Sequence, residues 1–331
     1  MKNGLLVLFA ICLLLPLHAQ YTKDNLRIDL QPSTLAHYTH DHLMIIPVQS
    51  TPAFNAYFAQ LGQFTVLKEA MEDQKIIVKE VSAGGSVNTL VAVNRSQDTI
   101  FGMAGEVVKG GKQDRVIAQN FIMHPGDSVN LSAFCVEQGR WSAGSPSNVD
   151  NINGHEVRLK GATQAPVFRE TKAVGAQSLR KTALKEKNQQ AVWDKVAAIT
   201  KENKAETGTG TYTALWDNDS MRLTMANYQE QLGSAFDGET TVIGFIAVTG
   251  DTVLGCDLFA THDLFIKSYR GLLEGYATEA VTSGAPVSID PEEIENYIDK
   301  LLASEEGQAD FVKDNGAVFE NNGLKLQVTG F

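Results

Sequence analysis

Basic charge is scarce in this chain. Against 39 Asp and Glu stand 28 Lys and Arg, a formal net charge of −11 over 331 residues. That balance excludes a nucleic-acid surface as the main function, although it leaves room for a local basic pocket. Cysteine is scarcer still, with only Cys12, Cys135 and Cys256. Long apolar runs are missing except at residues 5–17, and that run falls short of the ~20 residues a membrane span needs. No long internal repeat occurs. No Ser-His-Asp order or Cys–His pair presents itself, which removes the common nucleophilic arrangements.

The one apolar run follows Lys2 and ends in Leu17-His18-Ala19. A single basic residue, an apolar stretch and a small residue at the end read as a secretory leader cut after Ala19. Ile11 before Cys12 argues against a lipid anchor there. The expected location is secreted or periplasmic, with no stable membrane anchor after cleavage. Cys135 and Cys256 then remain, and in an oxidising compartment they could form one disulfide. Both sit in apolar strand-like runs (AFCVE and VLGCDLF), so two buried free thiols is the favoured state.

What is there is a chain 43% hydrophobic, enough for a large core. Short alternating runs dominate its first part: LRIDL, LMIIPV, IIVKEV, VNTLVAVN and TIFGM. Pro47 in the second run predicts a strand end or an edge position, and residues 54–73 carry helical spacing. Later, 181–204, 217–236, 262–280 and 291–304 read as helices, the last opened by Asp290 and Pro291. Gly250-Asp251 and Asn321-Asn322-Gly323 predict tight hairpins. The fold class expected is α+β: an antiparallel β-rich N-terminal part over 20–141, a Ser/Gly/Asn-rich loop over 142–164 that could act as a lid, and a mixed helix/strand part over 165–331.

The chemistry concentrates in residues 105–141. Glu106-Val-Val-Lys-Gly-Gly-Lys-Gln-Asp-Arg115 forms one polar cluster and Cys135-Val-Glu-Gln-Gly-Arg-Trp141 a second. Two strand-like runs and a Pro125-Gly126-Asp127 turn lie between. A hairpin there would gather Glu106, Lys112, Gln113, Arg115, Glu137, Arg140 and Trp141 in one patch. The first cluster nearly matches a nucleotide phosphate loop, but its Lys is one position late, Gln113 stands where a hydroxyl is required, and a strand-like run follows. Nucleotide hydrolysis of that type is therefore excluded. Gly110 and Gly111 with Lys112 and Arg115 suit an anion site, and equally a bulged turn with solvated charges. Arg140 beside Trp141 suits a flat charged ligand, or only an ion pair with Glu137. Glu106 and Glu137 would be a general acid/base pair if brought together. His37, His40 and His42 have metal-ligand spacing, yet a solvated loop is the better reading, and no metal is expected.

These two motifs, GEVVKGGKQDRV and CVEQGRW, together with the later Gln190-Ala-Val-Trp193 and the block at 242–280, resemble a bacterial domain family of uncertain function. That family is named for its association with ADP-ribosylglycohydrolase and rhodanese-phosphatase superfamily proteins. The resemblance spans most of the chain after residue 19. It implies a role near ADP-ribose, NAD or a related phosphate compound. It adds Gln190 and Trp193 to the candidate ligand-binding set of Gly110, Gly111, Lys112, Gln113, Arg115, Arg140 and Trp141. The functional expectation is a small anionic, phosphorylated or nucleotide-like ligand. A hydrolase of that ligand class, using Glu106 or Glu137, and a non-catalytic envelope interaction protein are the alternatives.

Overall fold

A computed structural model describes residues 21–141 and 165–331, and the backbone of 150–152 and 155–157. The expected leader and most of the expected 142–164 loop lie outside the described residues. Within that loop, Asp150–Ile152 and His155–Val157 pair as a short antiparallel hairpin.

Two antiparallel sheets dominate. The larger runs in the order Leu26–Ile28, Leu43–Ser50, Val242–Thr249, Thr252–Phe259, Leu324–Gly330 and Gly316–Asn321, with Thr39–His40 also paired to the second of these. The smaller runs Phe168–Val174, Glu106–Gly110, Arg115–Ile117, Ser128–Cys135, Thr89–Asn94, Ile76–Glu80. A third, minor sheet joins Phe121–Met123, Ile100–Gly102 and Thr65–Val66. The α+β class holds, with β-rich structure first and mixed structure after it.

Local chemistry explains the hairpins. Gly250 adopts φ 53° between paired Thr249 and Thr252, while Asn322 and Gly323 take φ 52° and 76° between paired Asn321 and Leu324. Positive φ at these positions matches the right-handed twist of the strands they join. Pro47 is a correction. Its strand is flanked on both sides, and Pro47 pairs with Phe245 on one of them. On the other side it falls between the stretches paired with residues 26–28 and 39–40, so its missing N–H costs no ladder bond there. The expected 54–73 helix is divided into Pro52–Phe58 and Leu67–Glu72 by the Thr65–Val66 strand. The 99–103 run joins the minor sheet rather than extending its neighbours' sheet. A helix at Glu305–Asn315, capped by Ser304, has no counterpart in the sequence reading.

Helix His262–Ser283 packs against both main sheets, touching Phe168–Val174 of the smaller and Val242–Thr249 of the larger. Gly275 makes this approach possible: a Cβ there would stand 2.9 Å from the carbonyl oxygens of Val174 and Gly175. One continuous apolar core, from Leu43 and Phe54 through Val107 and Val174 to Phe245, Phe265 and Val328, therefore includes residues from both parts. Among the described residues, no helix is long and apolar enough to cross a membrane.

Candidate functional site

The two polar clusters do meet, because Arg115–Ile117 pairs with Ala133–Cys135 in the smaller sheet, Arg115 opposite Cys135. The loop 111–114 closes on itself when Asp114 accepts the Gly110 amide at 2.8 Å. Gly110 and Gly111 stand at φ 126° and 56°, and a Cβ on Gly111 would enter the Phe168 ring. Only glycine meets both demands.

The charges are almost wholly turned inward. Arg140 donates through Nε to both Glu137 oxygens at 2.9 Å, through Nη1 to the Gly111 carbonyl at 3.0 Å, and through Nη2 to the Gly110 carbonyl and Asp114 at 3.2 Å. Asp114 also accepts from the hydroxyls of Thr211 and Thr213, each at 2.6 Å, and Glu137 accepts the Asp114 amide. Beside this lies a fully buried pair, Arg115 Nη2 on Glu80 Oε1 at 3.3 Å, and Glu80 also accepts the Lys112 amide. Gln113 bridges the two groups, accepting from Arg115 and donating to the Gln138 carbonyl. The Arg115 Nε and Glu80 Oε2 atoms are buried without a hydrogen-bond partner among the described residues. Backbone amides that would have cradled an anion are thus occupied: Gly110 on Asp114, Gly111 on Val167, Lys112 on Glu80.

Trp141 and Gln138 are the exposed side chains of the second cluster, and Lys112 of the first is half-buried. Trp141 is 45% exposed, with the Lys112 ammonium 5.4 Å and the Arg115 guanidinium 5.6 Å from its ring centroid. Lys112 forms no ion pair with any described residue.

The remaining candidates stand elsewhere. Glu106 opens the strand whose far end carries the loop, about 13 Å away at ~3.3 Å per residue. The condition for an acid/base pair, that the hairpin bring Glu106 to Glu137, is therefore not met. Glu106 instead accepts the Met103 amide at 2.6 Å. Burial pushes its carboxyl up to about 8, against the opposing pull of that amide and of Arg180. It borders a cavity of about 30 Å³ together with Thr171, whose buried hydroxyl has no partner among the described residues. Gln190 is exposed and bonded to Asp194, one helical turn on. Its neighbour Gln189 is the one that reaches the cluster, donating to the Cys135 carbonyl and accepting the Cys135 amide, both at 2.8 Å. Trp193 is half-buried, its indole N–H unpartnered among the described residues.

Cys135 and Cys256 are free, buried thiols in different sheets, and no disulfide joins them. Burial pushes them up to about 11 and about 12, so neither is a thiolate at neutral pH. His40 sets its ring against Tyr228, and His42 lies 3.7 Å from Asp41. Among the described residues no group of three or more His, Cys, Asp or Glu could hold a metal ion.

Sequence reasoning missed a second buried centre. Asp257 receives Arg180 on both oxygens (2.6 and 2.8 Å), Tyr276 at 3.0 Å, Gln327 at 2.9 Å and Thr329 at 2.7 Å. Arg180 Nε donates to the Ala104 carbonyl, next to the motif strand. Asp257 stood in the sequence as a charged residue inside the apolar run VLGCDLF, which was the available signal.

These features define an α+β protein whose glycine hairpin is locked by buried ion pairs and presents an aromatic–ammonium face. The family comparison agrees with the motifs: the model of the ARG and Rhodanese-Phosphatase-superfamily-associated Protein domain, ARPP-1, matches residues 31–325. The chain belongs to that family. Comparison with curated proteins and with solved structures gives no match.

Proposed function

We propose that this protein binds a small anionic molecule, phosphorylated or nucleotide-like, on the face formed by Lys112 and Trp141. The observation that carries the reading is the half-exposed Trp141 ring held over an ammonium that no described carboxylate neutralises. A flat group would stack on the ring and the anion would meet Lys112. Arg115, Arg140, Gln113 and the two glycines hold the platform rather than touch the ligand. Binding is favoured over hydrolysis because Glu137, the candidate base nearest this face, already accepts Arg140 and the Asp114 amide. Export through residues 1–19 belongs to the same proposal, and N-terminal sequencing of the mature protein should begin at Gln20.

Titration with ADP-ribose, followed by tryptophan fluorescence, tests the reading. Saturable quenching is expected, with no turnover by mass spectrometry. Trp141→Ala and Lys112→Ala should each weaken binding roughly tenfold or more, as expected for loss of one charge-assisted or stacking contact. Neither should lower the melting temperature appreciably. A folded protein that gives no response to ADP-ribose or to inorganic phosphate would favour the envelope interaction role instead.

A further inference from the structure

Away from the glycine hairpin, a cleft of about 240 Å³ opens between the Phe168–Val174 strand and helices Ala214–Asp217, Asp219–Leu232 and His262–Ser283. Tyr212, Trp216, Met221 and Met225 give it an aromatic and sulfur-rich lining, and its two cations, Lys172 and Arg222, are engaged by the Trp216 ring and by Asp219. Into this lining projects the carboxylate of Glu274, which accepts no hydrogen bond from any described residue. Burial raises its pKa, and Lys172 and Lys68 pull it back only through space. Lys172 makes no ion pair with it and instead stands 5.4 Å over the Trp216 ring.

From this geometry we infer that the cleft binds a small organic amine, with its ammonium on Glu274 and its apolar body on Trp216, Met221 and Met225. Three points of chemistry favour a cation. A half-buried carboxylate that accepts from no described residue is stabilised most by a charged donor. The negative faces of Trp and Tyr attract ammonium groups. The chain itself already sets an ammonium, that of Lys172, on the Trp216 face. A neutral guest would offer Glu274 at most an uncharged donor, the weaker kind. The volume lies just below the range for drug-sized ligands, so the guest has few atoms beyond one ring or a short alkyl chain. This site is independent of the anion face at Trp141.

Calorimetric titration of the full chain with 2-phenylethylamine, 2-phenylethanol and 3-phenylpropionate is the test. The amine should bind, and the alcohol and carboxylate should bind at least about tenfold more weakly, the usual effect of losing one charge-assisted bond. Glu274→Gln, isosteric and free of partners to disrupt, should weaken amine binding by about the same factor. Trp141→Ala should leave it unchanged. Lys172→Met removes the competing ammonium from an exposed position and should strengthen amine binding. The inference is overturned if the amine does not bind, if all three probes bind alike, or if Glu274→Gln binds as the parent does. Should Glu274→Gln fail to fold, Lys172→Met decides: unchanged or weaker amine binding overturns it.

Discussion

A single side chain can set the pH response of a domain, and Glu106 is placed to do so. Its carboxyl is ordinary in the unfolded chain and pushed up to about 8 in the fold, chiefly by burial. The folded state therefore keeps a proton that the unfolded state has lost. Across that window the unfolded chain binds fewer protons, so stability falls as pH rises, by up to ~1.4 kcal/mol per pH unit. Above about 8 both states are ionised and the slope vanishes. Glu106→Gln keeps an oxygen for the Met103 amide and removes the proton. Urea titrations should show the parent losing stability relative to this variant from the carboxylate range up to about 8, and running parallel to it beyond. Parallel curves throughout would mean that Glu106 titrates normally.

At the level of elements, the glycine hairpin depends on Arg140. Its guanidinium joins two nearly buried carboxylates, Asp114 and Glu137, to two loop carbonyls. A surface pair would contribute only ~0–1 kcal/mol. Removing a partner from a buried pair costs ~3–5 kcal/mol, and Arg140, partly exposed, belongs near the lower end. Arg140→Ala should therefore lower the urea midpoint markedly. A loss of ligand affinity without a loss of stability would contradict this role. The meeting of the two motifs was legible in part: the Pro125-Gly126 turn forecast the return of 133–135 onto 115–117, but not that 121–123 would pair with 100–102 in the minor sheet. The turn hairpins at Gly250 and Gly323 were legible for the same local reason. The Glu106–Glu137 separation was not, since it depends on which end of a strand faces the loop. Nor was the role of Gln189, one residue from the motif position Gln190, which rests on where a helix docks against a strand end. Whether a buried Arg serves the fold or a ligand is likewise invisible until its partners are known.

For the molecule as a whole, Asp257 is the point where the parts are tied. From the 252–259 strand it collects donors from Gln327 and Thr329 of the neighbouring 324–330 strand, from Tyr276 of helix His262–Ser283 and from Arg180, which in turn holds Ala104 beside the smaller sheet. Asp257→Asn keeps the shape but leaves Arg180 charged, buried and without a counter-charge. The expected cost is ~3–5 kcal/mol, with one cooperative transition retained. Urea unfolding followed both by Trp fluorescence and by circular dichroism would check this, and non-coincident curves would mean that the sheets unfold separately. The pairing of Leu43–Ser50 with Val242–Thr249 has a further bearing on how the protein is made. Gln49 meets Val242, so 193 residues separate the partners. At ~5–20 residues per second, a ribosome needs roughly 10–40 s to supply the second strand after the first. Throughout that interval one edge of this nearly all-apolar strand waits unpaired, the other being reached by residues 26–28 and 39–40, which are made first. The order of strands in one sheet thus keeps that edge open until the chain has been made as far as residue 242.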